Sequence, residues 1–228
     1  MSDTDYFAVV REDDLSSSSG YSLAKLREVL DARFPNSGVA VRTPGVTISF
    51  GEGGCETTEV IPACFHETKK DQNIYLMPDS DDKWMTSCPQ AHLDYVKEVN
   101  NKLGGKVKPL IRFVKAWAYY NNVPIKSFYL EMWVARYASG ENAILYSLDL
   151  KRIFHQLEKN GLASMFDPTG LTGLISPCKT DNMLEEAKKK ISSAASRSER
   201  AYELESNGDN KAAFSTWDLL FGYRFPSY

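Results

Sequence analysis

Apolar positions recur along the chain with two different periods, and the change of period falls just after Pro78. Residues 6–10 (YFAVV) form a short aromatic and β-branched run, the signature of a buried strand. A polar loop over 11–20 separates it from a helix marked by Leu23, Leu26, Leu30 and Phe34, which the Pro35-Asn36-Ser37-Gly38 cluster stops. Residues 39–42, 46–50 and 57–61 read as strands, and the glycine-rich stretch 51–54 as the hairpin turn between the last two. A phosphate-loop reading of those glycines fails, because no helix follows and no Gly-Lys-Ser/Thr ending is present.

Beyond Pro78 the period becomes helical. Pro89 suits the first turn of a helix with His92, Val96, Val99 and Leu103 on one face, and Gly104-Gly105 ends it. A strongly apolar helix is predicted over 106–122 and is broken by Asn122-Val123-Pro124, with the next beginning near Ser127. Further helices are predicted over 148–160, 181–206 and 209–221, with Gly222 as a C-terminal stop. The pattern predicts an α+β fold of two parts, a mixed strand-and-helix part over 1–87 and a helical part over 88–228.

Composition narrows the function classes. Hydrophobic residues are 43% and charged residues 25% of the 228, as in ordinary globular domains. No apolar run approaches the ~20 residues of a membrane helix and no signal-peptide core is present, so a cytoplasmic protein without membrane partners is expected. The formal charge of −3 and the absence of a basic stripe argue against a dedicated nucleic-acid binder. The densest basic run, Lys188-Lys189-Lys190, shares its helix with Glu185 and Glu186 and reads as a solvated face. Four cysteines without a C-x-x-C pair and three histidines give no zinc pattern; Cys64-Phe65-His66 supplies at most two ligands.

The strongest chemical signal is Ser2-Asp3-Thr4-Asp5, which runs straight into the first strand. Residues two apart on a strand face the same side, so Asp3 and Asp5 present two carboxylates together. Their repulsion is relieved by a divalent cation, and oxygen ligands favour Mg²⁺ or Mn²⁺. Glu59, among β-branched neighbours, offers a third carboxylate. Two ions held by three carboxylates suit phosphoryl transfer, with Glu59 beside the attacking 3′-hydroxyl. Taken alone, an acidic N-terminal tail is more often frayed and inert, and a single strand glutamate more often faces solvent.

The segment 2–10 (SDTDYFAVV) resembles the catalytic strand of polymerase-β-like nucleotidyltransferases and, more specifically, 57–65 (TTEVIPACF) resembles the third-carboxylate strand of the CD-NTase family. That family contains the bacterial cyclic-oligonucleotide synthases and is related to oligoadenylate synthetase and cyclic GMP–AMP synthase. The resemblance continues, in the family's order, through 108–117 (KPLIRFVKAW), 124–131 (PIKSFYLE), 167–170 (DPTG) and 217–226 (WDLLFGYRFP). It implies a nucleotidyltransferase palm with a mixed or antiparallel sheet, then a helical domain that closes the active site between the two. It implies metal binding by Asp3, Asp5 and Glu59, with Glu59 standing where many relatives have Asp. It implies that Lys115 contacts the donor triphosphate, Ser127 a phosphate, and that a base stacks on Phe128. Without the resemblance, Lys115 reads as a lysine snorkelling from a core helix and Phe128 as a core aromatic.

The function that the resemblance implies is the joining of nucleoside triphosphates (ATP, GTP or others) into a cyclic di- or trinucleotide, with two Mg²⁺ or Mn²⁺ ions, in bacterial antiphage signalling. The product would act on a separate effector, and a regulatory protein partner is a further expectation. The family's Gly-Ser loop and N-terminal helix precede the paired acids in relatives and do not lie within this sequence, so weak triphosphate binding by the chain as given is expected. The retained acids argue for a lost N-terminus over long decay. The alternatives are a non-catalytic or truncated nucleotide-binding relative and linear nucleotidyl transfer to RNA.

Overall fold

The computed structural model describes residues 4–79 and 82–226. The chain divides into two compact units, 1–91 and 92–228. The first is built on one six-stranded sheet. Its strands are β1 (Thr4–Val10), β2 (Gly38–Arg42), β3 (Gly45–Phe50), β4 (Glu56–Lys69), β5 (Gln72–Pro78) and β6 (Trp84–Ser87). They are ordered β2-β3-β4-β5-β6 with antiparallel neighbours, while β1 pairs with β4 in parallel. The long β4 is therefore the pivot of the sheet, and its buried Ile61, Ala63 and Cys64 sit in the core with Val46, Ile48 and Ile74.

Helix α1 (Ser19–Arg33) packs against β2 to β5 through Leu23, and Ser18 caps it by accepting from the Tyr21 N–H at 3.0 Å. The helix begins inside the stretch predicted as loop, because the Ser18 side chain supplies the cap there. The predicted turn over 51–54 is a short 3-10 turn at Glu52–Gly54 between antiparallel β3 and β4. Two strands that the apolar period did not mark, β5 and β6, extend the sheet. The β4–β5 hairpin turns at Lys70 and Asp71, both with positive φ (52° and 59°), a conformation usually betrayed by Asn or Gly. With neither present, the turn leaves little trace in the sequence.

The second unit is helical apart from one small hairpin. Helix α2 (Pro89–Lys102) enters it, followed by α3 (Val107–Tyr120), α4 (Ser127–Ser139), α5 (Tyr146–Lys159), α6 (Asp181–Ser206) and α7 (Asn210–Leu220). The hairpin, β7 (Met165–Phe166) with β8 (Leu174–Ile175), has no counterpart among the predicted elements, since two-residue strands carry no period. On α3, Leu110, Val114 and Trp117 are spaced by four and three and are all buried. Each such side chain contributes about 1.5–3 kcal/mol through burial. They meet Tyr129, Leu130, Met132 and Trp133 of α4, Phe154 and Leu157 of α5, and Ile191 and Ala195 of α6 in one core. Two lysines of the basic run pair with acids on their own helix α6: Lys188 with Glu185 and Lys190 with Glu186, each at 2.7 Å. Among the described residues no helix is long and apolar enough to cross a membrane.

Candidate active site

In the first unit, the parallel pairing of β1 with β4 sets Asp5 directly opposite Glu59. Register partners on neighbouring strands project to the same face of a sheet, so the two carboxylates share one surface. Asp5 is exposed and Glu59 half-buried. Asp3, the third expected ligand, lies outside the described residues, and among the described residues no three acidic, histidine or cysteine side chains converge as a metal cage.

Glu59 also has a place prepared for it. β3 lies on its other flank, with Thr47 opposite Glu59 and Gly45 two residues along on the same face. A Cβ added to Gly45 would sit 2.6 Å from Glu59 Cγ, 2.8 Å from its Oε1 and 2.9 Å from the Val60 carbonyl oxygen. Only glycine leaves room for the glutamate to lie as it does. A set of hard oxygen donors, one exposed and one fixed in a cradle that a Cβ would fill, fits a divalent cation such as Mg²⁺ or Mn²⁺.

The second unit holds the other expected site residues. Lys115, on α3, is not a free cation: its Nζ lies 2.9 Å from Glu131 Oε2 on α4, with the two side chains 37% and 28% exposed. Ser127 opens α4 and is exposed, and no side chain caps that helix start. The first-turn N–H groups of α4 therefore lack the usual side-chain acceptor. The chain before them is pinned, since the Lys126 N–H donates to the Pro177 carbonyl at 2.7 Å and its Nζ to Ser176 Oγ at 2.8 Å. Phe128 is 40% exposed, so it is not the core aromatic that its helix position alone would suggest.

Against Phe128 stands an arrangement that sequence reasoning passed over. His92 packs its ring on Phe128 with centroids 4.9 Å apart and planes at 68°. Its Nε2 lies 3.2 Å from Asp167 Oδ1, a close polar contact between side chains 8% and 0% exposed whose alignment falls short of a hydrogen bond. Asp167 opens the Asp-Pro-Thr-Gly loop between β7 and β8 and is that loop's organising acceptor. It receives the Thr169 N–H (2.9 Å) and hydroxyl (2.6 Å) and the Thr172 N–H (2.9 Å) and hydroxyl (2.8 Å). Burial disfavours its charge, but the His92 ring beside it and the bonds from Thr169 and Thr172 outweigh burial and hold the carboxyl well below the usual carboxylate range. The sequence marked this loop as the DPTG motif and carried an Asx-turn pattern, Asp followed two residues on by Thr, but neither pointed to His92. All four cysteines are free thiols, and burial raises those of Cys64 and Cys178, which makes them poor nucleophiles.

No family model matches the chain. Among curated proteins it is 26% identical over 174 residues to a probable cyclic nucleotide synthase of Bacillus cereus (75% of this chain, 52% of that protein). It is 27% identical over 163 residues to a cyclic AMP-AMP-AMP synthase of an Acinetobacter species (67% and 47%). The chain thus spans about half the length of the curated relatives it matches. Among solved structures it is similar to CdnC of Escherichia coli MS115-1 with ATP, with a TM-score of 0.71 at 18% identity over 98% of this chain and 78% of that one. CdnC in complex with HORMA-deltaN gives 0.72 at 18% identity, over 100% and 78%. The Vibrio cholerae DncV cyclic AMP-GMP synthase with a linear intermediate gives 0.66 at 16% identity, over 88% and 57%. The fold is that of the CD-NTases, and the sequence is similar to curated cyclic nucleotide synthases, as the series of motifs from residue 57 to residue 226 implied.

Proposed function

We propose that this chain is the nucleotidyl-transferring part of a cyclic-oligonucleotide synthase, joining nucleoside triphosphates into a cyclic di- or trinucleotide. The observation that carries the reading is the in-register pair Asp5 and Glu59 on parallel strands, with Glu59 seated over Gly45. With Asp3 they make the oxygen-donor set for two Mg²⁺ or Mn²⁺ ions, which when bound lower the pKa of an attacking hydroxyl and neutralise charge on the leaving pyrophosphate. Glu59 orients the attacking 3′- or 2′-hydroxyl and accepts its proton. In the second unit, Lys115 sets a positive charge for the triphosphate, and Glu131 holds its Nζ in place. The uncapped start of α4 at Ser127 offers N–H donors to a phosphate, and Phe128 offers a face to a base. A protein partner, as CdnC has in its complex with HORMA-deltaN, an effector answering to the product, antiphage signalling and a cytoplasmic location complete the reading.

The test is incubation of the chain with all four ribonucleoside triphosphates and Mg²⁺ or Mn²⁺, followed by mass spectrometry of phosphatase-resistant products. Asp5→Asn and Glu59→Gln serve as controls. A cyclic product that both controls lack supports the proposal, and its mass gives base composition and ring size. A linear product instead identifies transfer without cyclisation. If wild type and controls are alike, with triphosphates still bound, the chain is a nucleotide-binding relative and the catalytic reading is wrong.

A further inference from the structure

Phe128 is an exposed ring on the first turn of α4, yet its surroundings are more elaborate than exposure requires. A surface phenylalanine turns readily about its side-chain bonds, and a ring that turns makes a poor platform. Here one side of it is occupied by the His92 imidazole, at a centroid distance within the range of favourable aromatic pairs. His92 stands on the buried face of α2 among Val96, Val99 and Leu103, where an apolar residue would pack without desolvating a polar ring. The group that faces its Nε2 is Asp167, 3.2 Å away, fully buried and itself fixed by donors from Thr169 and Thr172. The constraint runs in one direction, from a loop locked by its own hydrogen bonds, through a carboxylate and an imidazole, to a ring that is left 40% exposed.

We infer that His92 is a positioning residue for nucleotide binding: buried against Asp167, it braces one side of Phe128 and leaves the other to receive a base. The inference rests on the reading of Phe128 as a stacking surface. It assigns His92 no contact with substrate and no proton to move.

A binding cycle tests it. Equilibrium affinities for fluorescent ATP and GTP analogues, with Ca²⁺ present to hold off chemistry, are measured for wild type, His92→Asn, Phe128→Ala and the double variant. Asparagine keeps a donor for Asp167 but loses the ring; His92→Gln, with a longer reach, carries the same test if His92→Asn does not fold. Phe128→Ala is expected to weaken binding about tenfold or more, the worth of one base–aromatic stack. His92→Asn alone is expected to weaken it about three- to tenfold, and not at all once Phe128 is alanine, because residues acting through one contact are not additive. An unchanged affinity in Phe128→Ala sinks the stacking reading and this inference with it. A weakened Phe128→Ala combined with full affinity in His92→Asn overturns the inference alone. So does an equal loss from His92→Asn in both backgrounds, which is what a merely structural histidine gives.

Discussion

Asp167→Asn is the perturbation whose size the structure defines best. The change removes one charge and exchanges one of two acceptor oxygens for an amide NH₂. Oδ2 accepts from the Thr169 hydroxyl and from both the Thr172 N–H and hydroxyl, and Oδ1 accepts from the Thr169 N–H and faces His92. Whichever way the asparagine is turned, its NH₂ meets a backbone N–H that cannot rotate away: Thr172 on one side, Thr169 on the other. The hydroxyls can turn, but the N–H and His92 cannot. Losing the charge that several buried donors share, and setting an NH₂ against a buried N–H, costs about 3–5 kcal/mol. At roughly 2–4 °C per kcal/mol for a chain of this size, the melting temperature falls by about 6–20 °C. Circular dichroism melts near neutral pH measure it.

The pH dependence gives the same prediction a second edge. The folded carboxyl of Asp167 titrates below its unfolded value, so its contribution to stability is complete above the unfolded value of about pH 3.9 and is lost progressively as pH falls below it. Asparagine has nothing to titrate there. The gap in melting temperature between wild type and Asp167→Asn should therefore narrow from about pH 4 downwards. A gap of less than about 2 °C at neutral pH, or one that widens in acid, refutes the account of this loop.

Two other perturbations each test a single contact. Gly45→Ala places a Cβ against Glu59 and is expected to lower Mn²⁺ affinity about tenfold. It should also cost about 1–3 kcal/mol of stability, because the Val60 carbonyl oxygen is close as well. Direct Mn²⁺ titration checks it, and unchanged or tighter binding shows that the observed seat of Glu59 is not the one the metal needs. Lys115→Ala breaks a half-exposed pair with Glu131 and should change stability by less than about 1 kcal/mol. It should nonetheless weaken triphosphate binding about tenfold, since a charge-assisted phosphate contact is lost. A large drop in melting temperature with unaltered nucleotide affinity would mark the lysine as structural.

Much of this protein was legible from residue order alone. The break of period after Pro78 separated a sheet-bearing part from a helical one because strands repeat every two residues and helices every 3.6. The strongly apolar run over 106–122 announced α3, whose buried face carries Leu110, Val114 and Trp117, and the spacing of Asp3 and Asp5 predicted two carboxylates on one side of a strand. Asp3 lies outside the described residues, so that pairing stands as an expectation. What no local pattern could contain was decided by contacts between distant segments. Glu59 meets Asp5 only because β1 runs parallel to β4 in that register, and it lies as it does only because Gly45 arrives from β3 without a side chain. Lys115 is paired because α3 and α4 bring Glu131 to it across sixteen residues of sequence. His92 looked like one more buried position on a helix face until the loop at Asp167 closed on it and Phe128 was left half open beside it. Periodicity follows from backbone geometry, which each residue carries with it. Pairing of charges, room for a side chain and the bracing of a ring depend on which surfaces the folded chain brings together.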